Sequence, residues 1–173
     1  MCNLADNSVM ISPRSSVLFV CMGNICRSPT AEGVFRRVAQ REGMLPRLTI
    51  DSAGIGNWHA GDRPDTRATA HAQRRGYDLT PLRARQVSRD DFARYGWILA
   101  MDRQNLRDLE ALKPADYPGN LALLLDFAPH IAVREVPDPY FGGPQGFEEV
   151  LDLIESACTL LLTRIRAELA ESP

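Results

Sequence analysis

The 173-residue chain has one lysine, Lys113, no excess of positive charge and no long apolar run. Each shortage excludes a class of function. A formal net charge of −2 lacks the basic surplus that drives binding to nucleic-acid phosphates or anionic lipid, so any anion must be met locally. No stretch approaches the roughly 18 apolar residues of a membrane span. The opening "MCNLADNSVMISPRSS" contains Asp6 and no apolar run of secretory length, so it does not read as a signal peptide. Cys2, Cys21, Cys26 and Cys158 are too scattered for the disulfide framework of a small secreted domain. A reducing, cytoplasmic location is expected. A zinc site is disfavoured because Cys21 and Cys26 lack a second close ligand pair, and none of the three histidines lies near them in sequence. Neither metal nor cofactor is therefore expected, and neither is nucleic-acid binding or membrane insertion.

What is present points to one α/β domain over 17–170, preceded by an N-terminal extension, 1–16, expected to be flexible. Val17 to Val20 is a continuous apolar run suited to a strand buried on both faces. After the cysteine-bearing loop, Pro29 can occupy the first position of a helix, and Ala31, Val34, Phe35, Val38 and Ala39 recur at helical spacing up to Gly43. "RLTIDSAG", "GWILAM" and "NLALLL" read as strands. Helices are expected from about Asp65 to Arg75, from Ser88 with Asp91 as a partial capping partner, over "DRQNLRDLEAL", and from Phe147 to about Leu169. "RARQV" reads as a short extended piece, and the Pro- and Gly-rich segment from Asp126 to Gly146 as a long loop. Alternating strands and helices imply a parallel sheet covered on both faces. Ligands of such sheets sit beyond the carboxyl ends of the strands, where the strand order switches.

The loop "CMGNICRSP" lies at one such end. Its successive backbone N–H groups can form an anion nest in front of a helix N-terminus. Gly23 and Asn24 are residue types that tolerate the left-handed turn this needs. Cys21 alone would be a small core hydrophobe. Beside a helix N-terminus and Arg27 it becomes a candidate nucleophile, since such surroundings draw a thiol from about 8.5 to roughly 3.5–7.5. Arg27 offers a permanent, forked cation for two phosphoryl oxygens. Ser28 can donate its hydroxyl to the thiolate.

"VCMGNICRSPTAE" resembles the signature of the low-molecular-weight protein tyrosine phosphatases, especially their bacterial members. "DSAG" from Asp51, "ARQ" from Ala84, "WILAMD" and "DPY" from Asp138 follow in family order. The resemblance implies a three-layer sandwich with a four-stranded parallel sheet and the phosphate-binding loop after strand 1. That loop would comprise Met22, Gly23, Asn24, Ile25, Cys26 and Ser28 around the catalytic Cys21 and Arg27. It implies a phosphotyrosine hydrolase that uses neither metal nor cofactor and works through a cysteinyl-phosphate, with Asp138 as general acid and then base. Trp58 and Tyr140 would wall the substrate ring, and Ser52 would buttress the loop through Asn24. Cys26 would be a redox partner for Cys21, against the plainer reading of a packed loop cysteine. The implied partners are phosphotyrosine proteins, among them a bacterial tyrosine kinase of surface-polysaccharide export.

Two departures stand out. Leu82 occupies the place of a histidine in mammalian members, and Phe141 replaces their second tyrosine. The rival of the same fold is a thioredoxin-linked arsenate reductase, which needs further cysteines in a mobile segment; none lies between Ala53 and His130. A non-catalytic phosphate-binding regulatory domain is the other alternative, and the presence of Cys21, Arg27 and Asp138 counts against it. His59, His71 and His130 are read as surface or helix residues.

Overall fold

The apolar run after Ser16 forms the centre of the sheet. In the computed structural model, which describes residues 12–171, β1 spans Ser16–Cys21 with all six residues buried. It is flanked by β2 (Thr49–Gly54) and β3 (Trp97–Ala100), and β4 (Asn120–Leu123) completes the order β2-β1-β3-β4, all parallel. Alternation along β1 divides the core. Val17, Phe19 and Cys21 face one apolar cluster with α1 (Arg27–Arg41) and α5 (Pro144–Ala170). Leu18 and Val20 face the other, with Phe92 of α3 (Asp91–Arg94) and Leu109 of α4 (Arg103–Leu112). α2 (Thr66–Arg74) packs against α5. The chain leaves β1 for β2 on one side and β3 for β4 on the other, so the loops after β1 and β3 adjoin at the switch in strand order.

Four local expectations shift. α1 begins at Arg27, which makes Pro29 its third residue; proline is tolerated there because the first N–H groups of a helix have no intrahelical partner. The helix after Ser88 is a single turn, because Tyr95 and Gly96 lead directly into β3. Asp91 still accepts the Ser88 backbone N–H at 2.8 Å. "RARQV" contributes one bridge, Gly54 to Gln86. The last residues of "NLALLL" turn into a 3₁₀ segment, Leu124–Phe127.

At the other end of the strands, Ser12–Ser16 belong to the fold. Gly96 N–H donates to the Pro13 carbonyl at 2.8 Å, and the Trp97 indole donates to the Arg14 carbonyl at 2.8 Å. The rest of the expected extension, with Cys2, lies outside the described residues. Among the described residues no helix is long and apolar enough to cross a membrane.

Candidate active site

The loop after β1 closes tightly over its own nucleophile. Asn24 is the sole non-glycine residue with positive φ (57°) among those described, and this left-handed turn aims its backbone N–H at Cys21 Sγ, 3.3 Å away. Ser28 Oγ lies 3.0 Å from the same sulfur. Three backbone N–H groups from the β2 side clamp the loop: Ile55 donates to Cys21 O (2.9 Å), Gly56 to Met22 O (3.0 Å), and Asp65 to Ile25 O (2.8 Å). Gly54 makes the close approach possible. A Cβ there would sit 3.0 Å from the Gly23 carbonyl carbon and the Met22 oxygen, so no larger residue fits without moving the loop.

Under the loop runs a hydrogen-bond chain whose direction is determined. Arg85 N–H donates to Asn24 Oδ1 at 3.0 Å, which fixes the amide so that Nδ2 donates to both Ser28 Oγ (2.8 Å) and Ser52 Oγ (3.0 Å). Ser52 therefore sends its one proton to buried Glu32 Oε2, 2.7 Å away, and Ser28 sends its own to Cys21 or to the Ala53 carbonyl (3.3 Å). Burial pushes the Glu32 carboxyl above its ordinary value, against hydrogen bonding from Ser52 and the charge of Arg36. Arg36 binds Glu32 Oε1 through Nε at 3.0 Å and the Ile50 carbonyl through Nη2 at 2.5 Å. Arg85 is itself gripped by Asp51 and by both oxygens of Asp91. With Leu82 at the place of the histidine, Asn24 and Glu32 are thus met by the Arg85 backbone and the Arg36 guanidinium.

Arg27 emerges from the first turn of α1, 3 % exposed. Its Nη1 meets Asp102 Oδ2 at 2.7 Å and the Val136 carbonyl at 3.0 Å, and its Nη2 lies 3.6 Å from Asp138 Oδ2. Burial opposes the charge, but Cys21 and Asp102 outweigh it and hold the guanidinium above its already high ordinary value. Asp138 is half exposed, and its Oδ1 accepts the Tyr140 backbone N–H at 3.1 Å. Cys26 is a buried thiol pushed up to about 12, mainly by burial and then by Asp65, Cys21 and Asp138. Cys21 and Cys26 are both free thiols. Cys158 is held high by complete burial in the α5 stripe.

These groups open into a cleft of about 150 Å³, with Cys21 and Arg27 at its base, Asp138 at its edge, and Trp58 and Tyr140 at its rim. Met22, Gly23, Ile25 and Cys26 complete the lining, while Asn24, Ser28 and Ser52 lie buried beneath. The residues assigned to the site from the sequence therefore lie in or beneath one cleft. A larger cavity, about 640 Å³, lies at the opposite end of the strands beside Ser12–Arg14 and is lined by neither cysteine nor histidine. Among the described residues no group of three His, Cys, Asp or Glu side chains could hold a metal ion.

Three contributors escaped the sequence reading. Asp102, the N-cap of α4, accepts Asn105 N–H at 2.8 Å through one oxygen and holds Arg27 through the other; its signal was an N-cap aspartate directly after a strand at the switch in order. His59 lines the cleft, its ring 3.2 Å from where a Cβ of Gly23 would sit. Glu32 lay in plain view in "TAE", but only the fold brings Ser52 to it.

Known proteins resemble this chain in sequence and in fold. The family model described as "Low molecular weight phosphotyrosine protein phosphatase" matches residues 16–171. A putative low molecular weight protein-tyrosine-phosphatase of Synechocystis is 46 % identical over 88 % of this chain and 98 % of its own length. YfkJ of Bacillus subtilis, a low molecular weight protein-tyrosine-phosphatase, is 41 % identical over 88 % of this chain and 97 % of its own. The crystal structure of a protein tyrosine phosphatase from Entamoeba histolytica with Hepes in the active site superposes with a TM-score of 0.85, at 38 % identity over 89 % of this chain and 98 % of that one. Sequence and fold agree, and the chain belongs to the low molecular weight phosphotyrosine protein phosphatases.

Proposed function

We propose that Cys21, Arg27 and Asp138 carry out phosphotyrosine hydrolysis in two metal-free displacements. The observation that supports this best is the single cleft in which a buried thiol, a buried cation and a half-exposed carboxyl converge from the two ends of the chain. In the first step the Cys21 sulfur attacks phosphorus and the bond to the tyrosine oxygen breaks. Asp138, protonated at that stage, gives its proton to the departing oxygen. Ser28 O–H and the Asn24 N–H steady the charge on sulfur before attack. Arg27, oriented by Asp102 and the Val136 carbonyl, meets the phosphoryl oxygens together with the loop N–H groups. In the second step water attacks phosphorus and yields its proton to Asp138. The S–P bond breaks with its electron pair returning to sulfur, and inorganic phosphate leaves. A positioned acid of this kind contributes roughly 10²–10⁴ in rate.

Met22, Gly23, Asn24, Ile25, Cys26 and Ser28 form the cradle, Ser52 supports it through Asn24, and Trp58 and Tyr140 flank the substrate ring. The unit that carries this chemistry is the single domain 17–170. Its substrates are phosphotyrosine proteins, and a tyrosine kinase of surface-polysaccharide export is the partner we favour. The test is hydrolysis of 4-nitrophenyl phosphate in reducing buffer with chelator. The parent is expected to turn over, and Cys21→Ser to be inactive while still binding phosphate. Full activity in Cys21→Ser overturns the mechanism, and arsenate-dependent oxidation of thioredoxin would promote the reductase instead.

A further inference from the structure

Arg67 stands at the second position of α2, two residues after its N-cap Asp65. A cation there faces the positive end of the helix dipole, the unfavourable end for it. Something other than helix stability accounts for its orientation. Asp65 takes Arg67 Nε at 3.1 Å on one oxygen and Nη2 at 2.9 Å on the other, a two-point grip that fixes the guanidinium plane. The guanidinium carbon then lies 5.0 Å from the ring centroid of Phe147 and 5.4 Å from that of Tyr140, within the range of cation–π attraction.

The two rings differ in how they are held. Phe147 is 3 % exposed and stacks on His71 of α2 at 5.4 Å with an interplanar angle of 10°; His71 is bonded to Glu148 at 2.6 Å. Tyr140 is 39 % exposed, and its other ring contact is a T-shaped one with Phe141, itself 94 % exposed. Arg67 therefore joins a fixed ring to a loop ring. The loop ring is coupled to the acid, because Tyr140 N–H donates to Asp138 Oδ1. Asp65 closes the other end, its N–H bonded to the Ile25 carbonyl of the phosphate loop.

We propose that Arg67 is a positioning residue that clamps Tyr140, and with it the Asp138 carboxyl, to the start of α2 and so sets the spacing between phosphate loop and acid. The inference rests on the assignment of Tyr140 as ring wall and Asp138 as acid. Its test uses the full chain with two aryl phosphates, phenyl phosphate, whose poor leaving group needs the acid, and 4-nitrophenyl phosphate, which needs it less, and with inorganic phosphate as competitive inhibitor. Arg67→Ala is expected to raise KM for both esters about two- to fivefold, the loss of one exposed cation–π contact. It should lower kcat more for phenyl phosphate, and leave phosphate inhibition unchanged. Arg67→Lys keeps the charge and loses the two-point grip, and is expected to fall between parent and Arg67→Ala.

The same substitution in a Tyr140→Ala background should add nothing further, because the clamped ring is already gone. Parent-like KM and leaving-group dependence in Arg67→Ala overturn the proposal. So does an additive effect in the double variant, or weaker phosphate inhibition in step with KM, which marks a loosened cradle. Parent-like KM in Tyr140→Ala alone defeats the wall assignment, a result separate from failure of the clamp.

Discussion

The phosphate loop and the loop of Asp138, the proposed acid, meet in one cleft but are built on opposite plans. In the first, Cys21, Asn24, Arg27 and Ser28 are all buried and each makes at least two hydrogen bonds or ion contacts, those of Asn24 and Arg27 reaching elements far away in sequence. In the second, Asp138 and Tyr140 are partly exposed, and Phe141 stands almost wholly in solvent. A cradle that reads an invariant phosphoryl group gains from rigidity, since its donors then need no reorganisation at the moment of reaction. An acid that must meet a bulky phosphoprotein and later admit water gains from an open position. The contrast predicts that damage to the acid loop costs rate without stability, and that damage to the phosphate loop costs both.

The largest expected effect follows from removing the acid. Asp138→Ala should lower kcat for phenyl phosphate by about 10²–10⁴, and far less for 4-nitrophenyl phosphate. Denaturant melts should place its stability within about 0.5 kcal/mol of the parent, as for an exposed substitution. Equal losses on both esters would remove Asp138 from the protonation step.

Asn24→Ala probes the other plan. It deletes the side-chain bonds to Ser28, Ser52 and Arg85 and puts a Cβ residue without local hydrogen bonding at φ 57°. The combined cost is about 2–4 kcal/mol of stability, accompanied by a fall in kcat. Urea midpoints report the first and steady-state rates the second. Loss of rate with parent stability would mean that the loop stands without its amide support.

Between the loops, Asp65 supplies a pH dependence. Burial raises its carboxyl, but hydrogen bonds from Arg67 and from the Ala68 and Arg67 backbone outweigh that and hold it below its ordinary value. A lowered value in the folded state contributes stability above the usual carboxylate range, and that contribution is lost as pH falls through the folded value. Asp65→Asn should therefore be less stable than the parent near neutrality and converge with it in acid, as read from urea midpoints at several pH values. A constant gap would assign the effect to capping alone.

The smallest effect concerns the far wall. The Trp58 ring, 68 % exposed, overlies Gly56 so closely that a Cβ there would come within 1.8 Å of Cζ3. Gly56→Ala displaces only the end of a flexible side chain. It should leave stability unchanged and raise KM for aryl phosphates a few-fold, with phosphate inhibition as in the parent.

Much of this was legible in the chain. The strand–loop–helix around Cys21 carries its own instructions: a two-sided apolar run, residues that accept a tight turn, an arginine entering a helix and a proline within its first turn. Asp138 between Pro137 and Pro139 was legible through the resemblance that "DPY" carries; alone it reads as a turn residue. Less legible were residues whose partners come from other elements. Asp102 stood only as the start of an expected helix; it is that helix's N-cap and the anchor of Arg27. His59 looked like a surface residue and lines the cleft. Arg67 and Arg85 carried no sequence signal that set them apart from the other arginines.

By itself the sequence determined the elements and the reactive groups, because helix period, strand burial, turn chemistry and the residue types of the loop are local properties. Only the tertiary structure decided which cation serves which anion and which way each proton points. Those choices depend on β2 and β3 flanking β1 in parallel, which delivers Ser52, Asp102 and Val136 to a loop that none of them adjoins in sequence. Buried polar groups must be paired, and the pairing was settled by packing, not by proximity along the chain.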